Sequence, residues 1–159
     1  MDIKKILTSM REKIDPNFNF VDNTDQTIPF HNLEKSISES KIVLISSGGF
    51  HLKEDKPFDT EDSKGDPTYR MIPQNTPIES IEISHSHYNH KYVNKDINCG
   101  FPIELLKELD QKEEIGSLAD KNYSFMGYCL KVEKLKENAR ELAEKLKNEE
   151  VEAALIAPA

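Results

Sequence analysis

Histidine is the side chain best suited to move protons or hold a metal near neutral pH. Three of the chain's five histidines fall within His85-Ser86-His87-Tyr88-Asn89-His90. The spacing H-x-H-x-x-H is close to the H-x-H-x-D-H pattern whose His and Asp side chains grip zinc. Asn89 stands where that pattern has Asp, so a charged ligand is missing. The other histidines, His31 and His51, lie upstream, and none follows His90 to complete a zinc shell. The plain reading is a strand-end turn of hydrogen-bonded imidazoles. Between that and a metal site stands a site-lining role, donating to an anionic ligand or shuttling protons. A metal held by His85, His87 and His90 is the weaker alternative, and no metal is expected.

Two further segments carry chemical side chains. Ser46-Ser47-Gly48-Gly49-Phe50-His51 follows an apolar run, as phosphate-binding turns do. It lacks both G-x-G-x-x-G and a Gly-Lys-Ser/Thr ending. A glycine pair that lets a ligand or a neighbouring backbone come close is the better account. Cys99 lies in Lys95-Asp96-Ile97-Asn98-Cys99-Gly100-Phe101-Pro102, beside the start of a helix whose dipole can favour a thiolate. Packing is the plainer role for Cys99 and the expected role for Cys129. No set of nucleophile, base and orienting group can be assembled from these residues alone.

The elements that must position them follow from apolar periodicity. Residues 1–14 read as a short amphipathic helix through Ile3, Ile6, Leu7, Met10 and Ile14, broken by Pro16 and the polar stretch to Thr27. Ile42-Val43-Leu44-Ile45 is apolar on both faces, as a parallel strand covered by helices must be. Residues 53–77 read as one long irregular loop, and Ile78–Ile83 as a second strand. Pro102 opens a helix to about Gln111. Tyr123–Met126 is a third strand, Val132–Asn148 the strongest helix, and Val151–Ala157 a fourth strand. Strands alternating with helices predict an α/β fold: an open, mostly parallel sheet with flanking helices, Rossmann-like or flavodoxin-like. The segments Ser46–His51, Ser84–His90 and Gly127–Cys129, with Pro158 and Ala159, then follow strand C-termini, where open α/β sheets bind ligands.

Composition limits the partners. With 21 Lys+Arg against 29 Asp+Glu the net charge is -8, which argues against binding nucleic acid or an anionic membrane surface. No apolar run approaches a membrane span. Two cysteines make no disulfide framework, so a cytoplasmic, reducing compartment is expected.

Several segments, in order, resemble the selenoprotein component (component B type) of the glycine/sarcosine/betaine/D-proline reductase family. They are Pro29-Phe30, Ile37–Leu44, Gly48–Lys53, Lys56–Asp59, Tyr69–Pro73, Ile83–His90, Asn94–Cys99, Phe101–Ile103, Ile115-Gly116, Tyr123–Tyr128 and Val151–Ile156. The similarity covers residues 28–159, read as the N-terminal portion of the reductase-type domain, after a helix and linker at 1–27.

The resemblance implies reductive cleavage of a C–N bond in glycine, sarcosine, betaine or D-proline by a selenolate or thiolate. It also implies a partner subunit carrying a pyruvoyl group and a dithiol electron donor such as thioredoxin. No cofactor is expected on this chain itself. In relatives the selenocysteine or Cys follows a few residues after the strand like Val151–Ile156. The nucleophile is therefore expected just beyond Ala159, where a UGA codon would end the reading, and the 159 residues alone are expected to be inactive. Gly48, Gly49, His51, His85, His87, His90, Asp96, Asn98, Cys99 and Gly127 would line the incomplete site. An open sheet edge beside Val151–Ala157 should favour oligomers. The acidic loop 53–66 would either wrap a partner subunit or stay solvated. The alternatives are a non-catalytic ligand- or metal-binding module built on the His85/His87/His90 rim, and an interaction domain acting through the open edge.

Overall fold

The computed structural model describes residues 3–13, 16, 18, 27 and 31–158. It divides into two units, Met1–Asn32 and Leu33–Ala159. In the first, α1 spans Ile3–Lys13, and none of its residues is buried. Ile14, Pro29, Phe30, Ala159 and most of the break expected over 16–27 lie outside the described residues.

The second unit is an α/β fold around one central strand, β1 (Lys41–Ser46). Val43 and Leu44 are fully buried, so the continuous apolar run does lie between two covered faces. Along one edge β1 pairs in parallel with β5 (Ser117–Leu118) and then with β6 (Lys121–Phe125). Along the other it pairs in parallel with β7 (Ala153–Ala157), from Ile42↔Ala153 to Ser46↔Ala157. Two short strands sharing one edge leave a gap in the ladder at Leu44. The buried Asn122 side chain fills it: Oδ1 accepts from the Leu44 amide at 2.8 Å and Nδ2 donates to the Ala119 carbonyl at 3.1 Å. A buried amide without a partner would cost roughly 1–3 kcal/mol.

One face of the sheet carries Ile42 and Leu44, packed with Ile103 and Leu106 of α2 (Ile103–Gln111) and with Phe50, Ile72 and Phe101. The other carries Val43 and Tyr123 beneath Leu142 of α3 (Val132–Asn148). The expected helices, central strand and terminal strand are all present.

Three differences have physical causes. The loop expected over 53–77 contains a strand, β3 (Tyr69–Pro73), antiparallel to β6 from Tyr69↔Phe125 to Pro73↔Lys121. As an edge strand it buries only Ile72, leaves Met71 exposed and ends in proline, so its apolar alternation is faint. Ile78–Ile83 is not a strand of the parallel sheet. Ile78–Ser80 is a 3-10 turn, and β4 (Ile81–Ile83) pairs antiparallel with β2 (Phe50–Leu52) in a separate two-stranded sheet. Third, residues 53–68 are tied down rather than loose. The Arg70 guanidinium donates to the carbonyls of Lys56 and Pro57 and to Thr68 Oγ1, and lies 4.3 Å from the centre of the Phe58 ring. Among the described residues no helix is long and apolar enough to cross a membrane.

Candidate functional site

At the C-terminal end of β1 the chain turns through Ser46-Ser47-Gly48-Gly49 into β2, and every amide of that turn is already used. Ser47 N–H donates to the Ala157 carbonyl, Gly48 N–H to Ser46 Oγ, Gly49 N–H to the Phe125 carbonyl and Phe50 N–H to Ser124 Oγ, all at 2.9–3.0 Å. A phosphate-cradling turn leaves such amides free, so this is not one. Gly48 and Gly49 are buried. Gly49 has φ +70°, and a Cβ there would stand 2.5 Å from the Ser84 carbonyl oxygen. Gly49 therefore serves the approach of neighbouring backbone, whereas Gly48 makes room for the Phe50 ring, which a Cβ there would overlap.

What that close approach positions is the histidine loop. Ser84 N–H donates to the Gly49 carbonyl at 2.9 Å, continuing the β2–β4 ladder by one residue. Tyr88 Oη donates to the Gly48 carbonyl at 3.0 Å. Burial pushes the Tyr88 phenol up to about 12, so it stays a donor at neutral pH. The loop from Ser84 to Tyr88 is thus strapped across the turn after β1.

The histidines within it differ in surroundings. His85 is buried, and its Nδ1 accepts from the His87 amide at 3.1 Å, which puts the proton of the neutral ring on Nε2. Burial, reinforced by the nearby His87 and His90 imidazoles, holds its pKa below the ordinary 6.5. His87 is exposed and stacks on Tyr128, with ring centres 3.7 Å apart and planes 12° from parallel. That stack clips the loop to the segment after β6, where Gly127 N–H donates to the Ser47 carbonyl at 2.9 Å. His90 is half-buried against Tyr88. Its Nε2 is sealed from solvent and has no hydrogen-bond partner. It flanks a groove of about 520 Å³ beside β4 that includes Glu82 and Lys95.

His51 is wholly buried, joined to Leu52 and Ser84 by its two ring nitrogens. Asp96 and Asn98 are engaged locally. Asp96 caps the 3-10 turn Ile97–Cys99 by accepting from the Asn98 amide, and Asn98 pairs with Glu104 at the start of α2. Cys99 is exposed, and the adjacent Gly100 carbonyl accepts from Ser46 Oγ at 2.7 Å.

Gly48, Gly49, His51, His85, His87 and Gly127 are therefore linked around one strand end. Asp96, Asn98 and Cys99 connect to it through Gly100, whose carbonyl accepts from Ser46 Oγ. Among the described residues no three His, Cys, Asp or Glu side chains gather closely enough to hold a metal ion. Sequence reasoning missed Ser46, Ser84, Tyr88 and Tyr128, the side chains that tie these loops together. Their signal is weak: hydroxyl groups immediately flanking the glycine, histidine and cysteine positions.

Comparison with known proteins bears on the same segments. The family model described as glycine/sarcosine/betaine reductase selenoprotein B matches residues 12–159. The D-proline reductase subunit gamma of Acetoanaerobium sticklandii is 36% identical over 123 residues, 77% of this chain and 50% of that one. The glycine reductase complex component B subunit gamma of Symbiobacterium thermophilum is 32% identical over 124 residues, 77% of this chain and 29% of that one. The protein of the same name from Carboxydothermus hydrogenoformans is 25% identical over 131 residues, 81% of this chain and 30% of that one. The chain thus spans half or less of the length of these curated relatives. No solved structure gives a significant match. The match over residues 12–159 places the chain in the glycine/sarcosine/betaine reductase selenoprotein B family.

Proposed function

We propose that the chain forms part of the B-type subunit of an amino-acid reductase complex, contributing the strand-end rim around Gly48, His85 and His87. The reaction replaces a C–N bond by C–H. A substrate R–NR′3+ (R′ being H, methyl or, in D-proline, part of the ring) and a dithiol give R–H, the protonated amine HNR′3+ and a disulfide, so the dithiol supplies the two electrons and two protons. A selenolate or thiolate supplied from outside residues 1–159 is the nucleophile. A pyruvoyl group on a partner subunit activates the amine, and a thioredoxin-like dithiol donor reduces the complex in the cytoplasm, where dithiols are kept reduced. His85 serves as a neutral N–H donor at the rim, the form expected of an imidazole that must donate without carrying charge.

The observation that carries this reading is the family match along residues 12–159. D-proline and glycine, named in those relatives, are the first substrates to test, followed by sarcosine and betaine. The gene would be sequenced past the codon for Ala159. Any frame continuing through UGA would then be expressed with selenocysteine and with the partner subunits. Dithiol-dependent amine release or ring opening is expected from that complex and none from the 159-residue chain. Turnover by the 159-residue chain, or a complex inert toward all four substrates, would overturn the proposal.

A further inference from the structure

We infer that His51 is a positioning residue: acting through Ser84, it holds His85 in the single tautomer that presents an Nε2–H donor. The inference deepens the reductase reading and rests on it for its catalytic consequence only.

The Leu52 carbonyl lies 2.7 Å from His51 Nδ1, so Nδ1 carries the proton. A neutral ring then accepts at Nε2, and Ser84 Oγ–H donates to it at 2.8 Å. Rotation of the hydroxyl is thereby fixed. The His51 ring is 1% exposed and meets Phe58 edge-on, with centres 6.2 Å apart. Ser84 is thus held at three points: its hydroxyl by His51, its amide by the Gly49 carbonyl, and its carbonyl against the Cα of Gly49.

His85 is the next residue, so its backbone direction follows from those restraints. Its ring is packed edge-on against Tyr88 with centres 4.8 Å apart, and Tyr88 is itself anchored to Gly48. In that position its Nδ1 accepts from the His87 amide. As neutral rings the two buried histidines take opposite tautomers, Nδ1–H for His51 and Nε2–H for His85. With the hydroxyl bond gone, Ser84 would be held by its amide and carbonyl alone, and the looser Ser84–His85 junction would let His85 Nδ1 part more readily from the His87 amide.

The first test uses the 159-residue chain with 15N-labelled histidine. Long-range nitrogen–carbon-proton correlations identify which ring nitrogen is protonated. His51 is expected as Nδ1–H and His85 as Nε2–H. In S84A, His85 is expected to populate both tautomers, and exchange of the His87 amide should quicken by about threefold to tenfold, the effect of one net hydrogen bond. In S84T, which keeps the hydroxyl, both should return to wild-type values. Protection of the Leu44 amide reports that the sheet is intact throughout. Unchanged His85 signals and His87 exchange in S84A, or an S84T that behaves like S84A, would overturn the inference.

The second test places the same variants in the full-length reductase complex. S84A is expected to lower kcat with KM nearly unchanged, and S84T to recover it. A tautomer change without any change in kcat would overturn the catalytic consequence. A wild-type complex with no turnover would remove the reductase reading, and the 15N measurement would still decide the positioning role.

Discussion

At the scale of single residues, the site is organised by hydrogen bonds whose partners are far apart in the chain. Gly49 has a positive φ, and the Ser84 carbonyl also occupies the space a side chain would need. Gly49→Ala is therefore expected to destabilise the chain by more than about 1 kcal/mol, read as a lower urea midpoint with an unchanged slope. A midpoint equal to that of the wild type would contradict the close approach. His85 gives a pH signature. Its folded pKa lies below the ordinary 6.5, so the unfolded chain takes up the proton first as pH falls. The stability it contributes is present above pH 6.5 and is lost as pH drops through the folded value. Wild type should lose more of its urea midpoint between about pH 7 and about pH 5 than His85→Gln does. Equal losses would refute the assignment.

At the scale of elements, what could be read in advance was whatever shows itself locally. The run Ile42–Ile45, the 3.6-residue pattern from Val132 and the proline before Ile103 announced β1, α3 and α2. β2 and β3 stayed hidden, and β4 reads too long and as part of the parallel sheet, because three-to-five-residue strands with one covered face carry too little periodicity. The site was legible only in part, and for the same reason. Its histidines stand together in the sequence, but Ser84 matters through His51, thirty-three positions away, and Asn122 through Leu44, seventy-eight away. Composition and spacing hold no record of such pairings.

β7 makes the element-level prediction. Among the described residues its outer edge has no strand partner, and Leu155 and Ile156 are exposed on opposite faces. Ile156 also borders an apolar groove formed by Ile45, Phe125 and residues of α3. An unpaired apolar edge tends to associate. The 159-residue chain is expected to show concentration-dependent self-association in sedimentation velocity, and Ile156→Lys to shift it toward monomer. A chain that sediments as monomer at about 100 μM, well within the range where open edges associate, would count against this.

At the scale of the whole molecule, the sheet is closed by pairing one of its earliest segments with its latest. The Lys41 amide donates to the Glu152 carboxylate across 111 residues, and the β1–β7 ladder continues from there. On a ribosome adding roughly 5–20 residues per second, β1 emerges on the order of ten seconds before its partner. Through that interval one of the most apolar stretches of the nascent chain has no native neighbour on that side. Folding before β7 is translated can proceed only as far as the β1–β5–β6–β3 half of the sheet. A translating chain of this kind is a natural client for a hydrophobic-segment chaperone, and slowing elongation after Asn148 would lengthen its dependence on one.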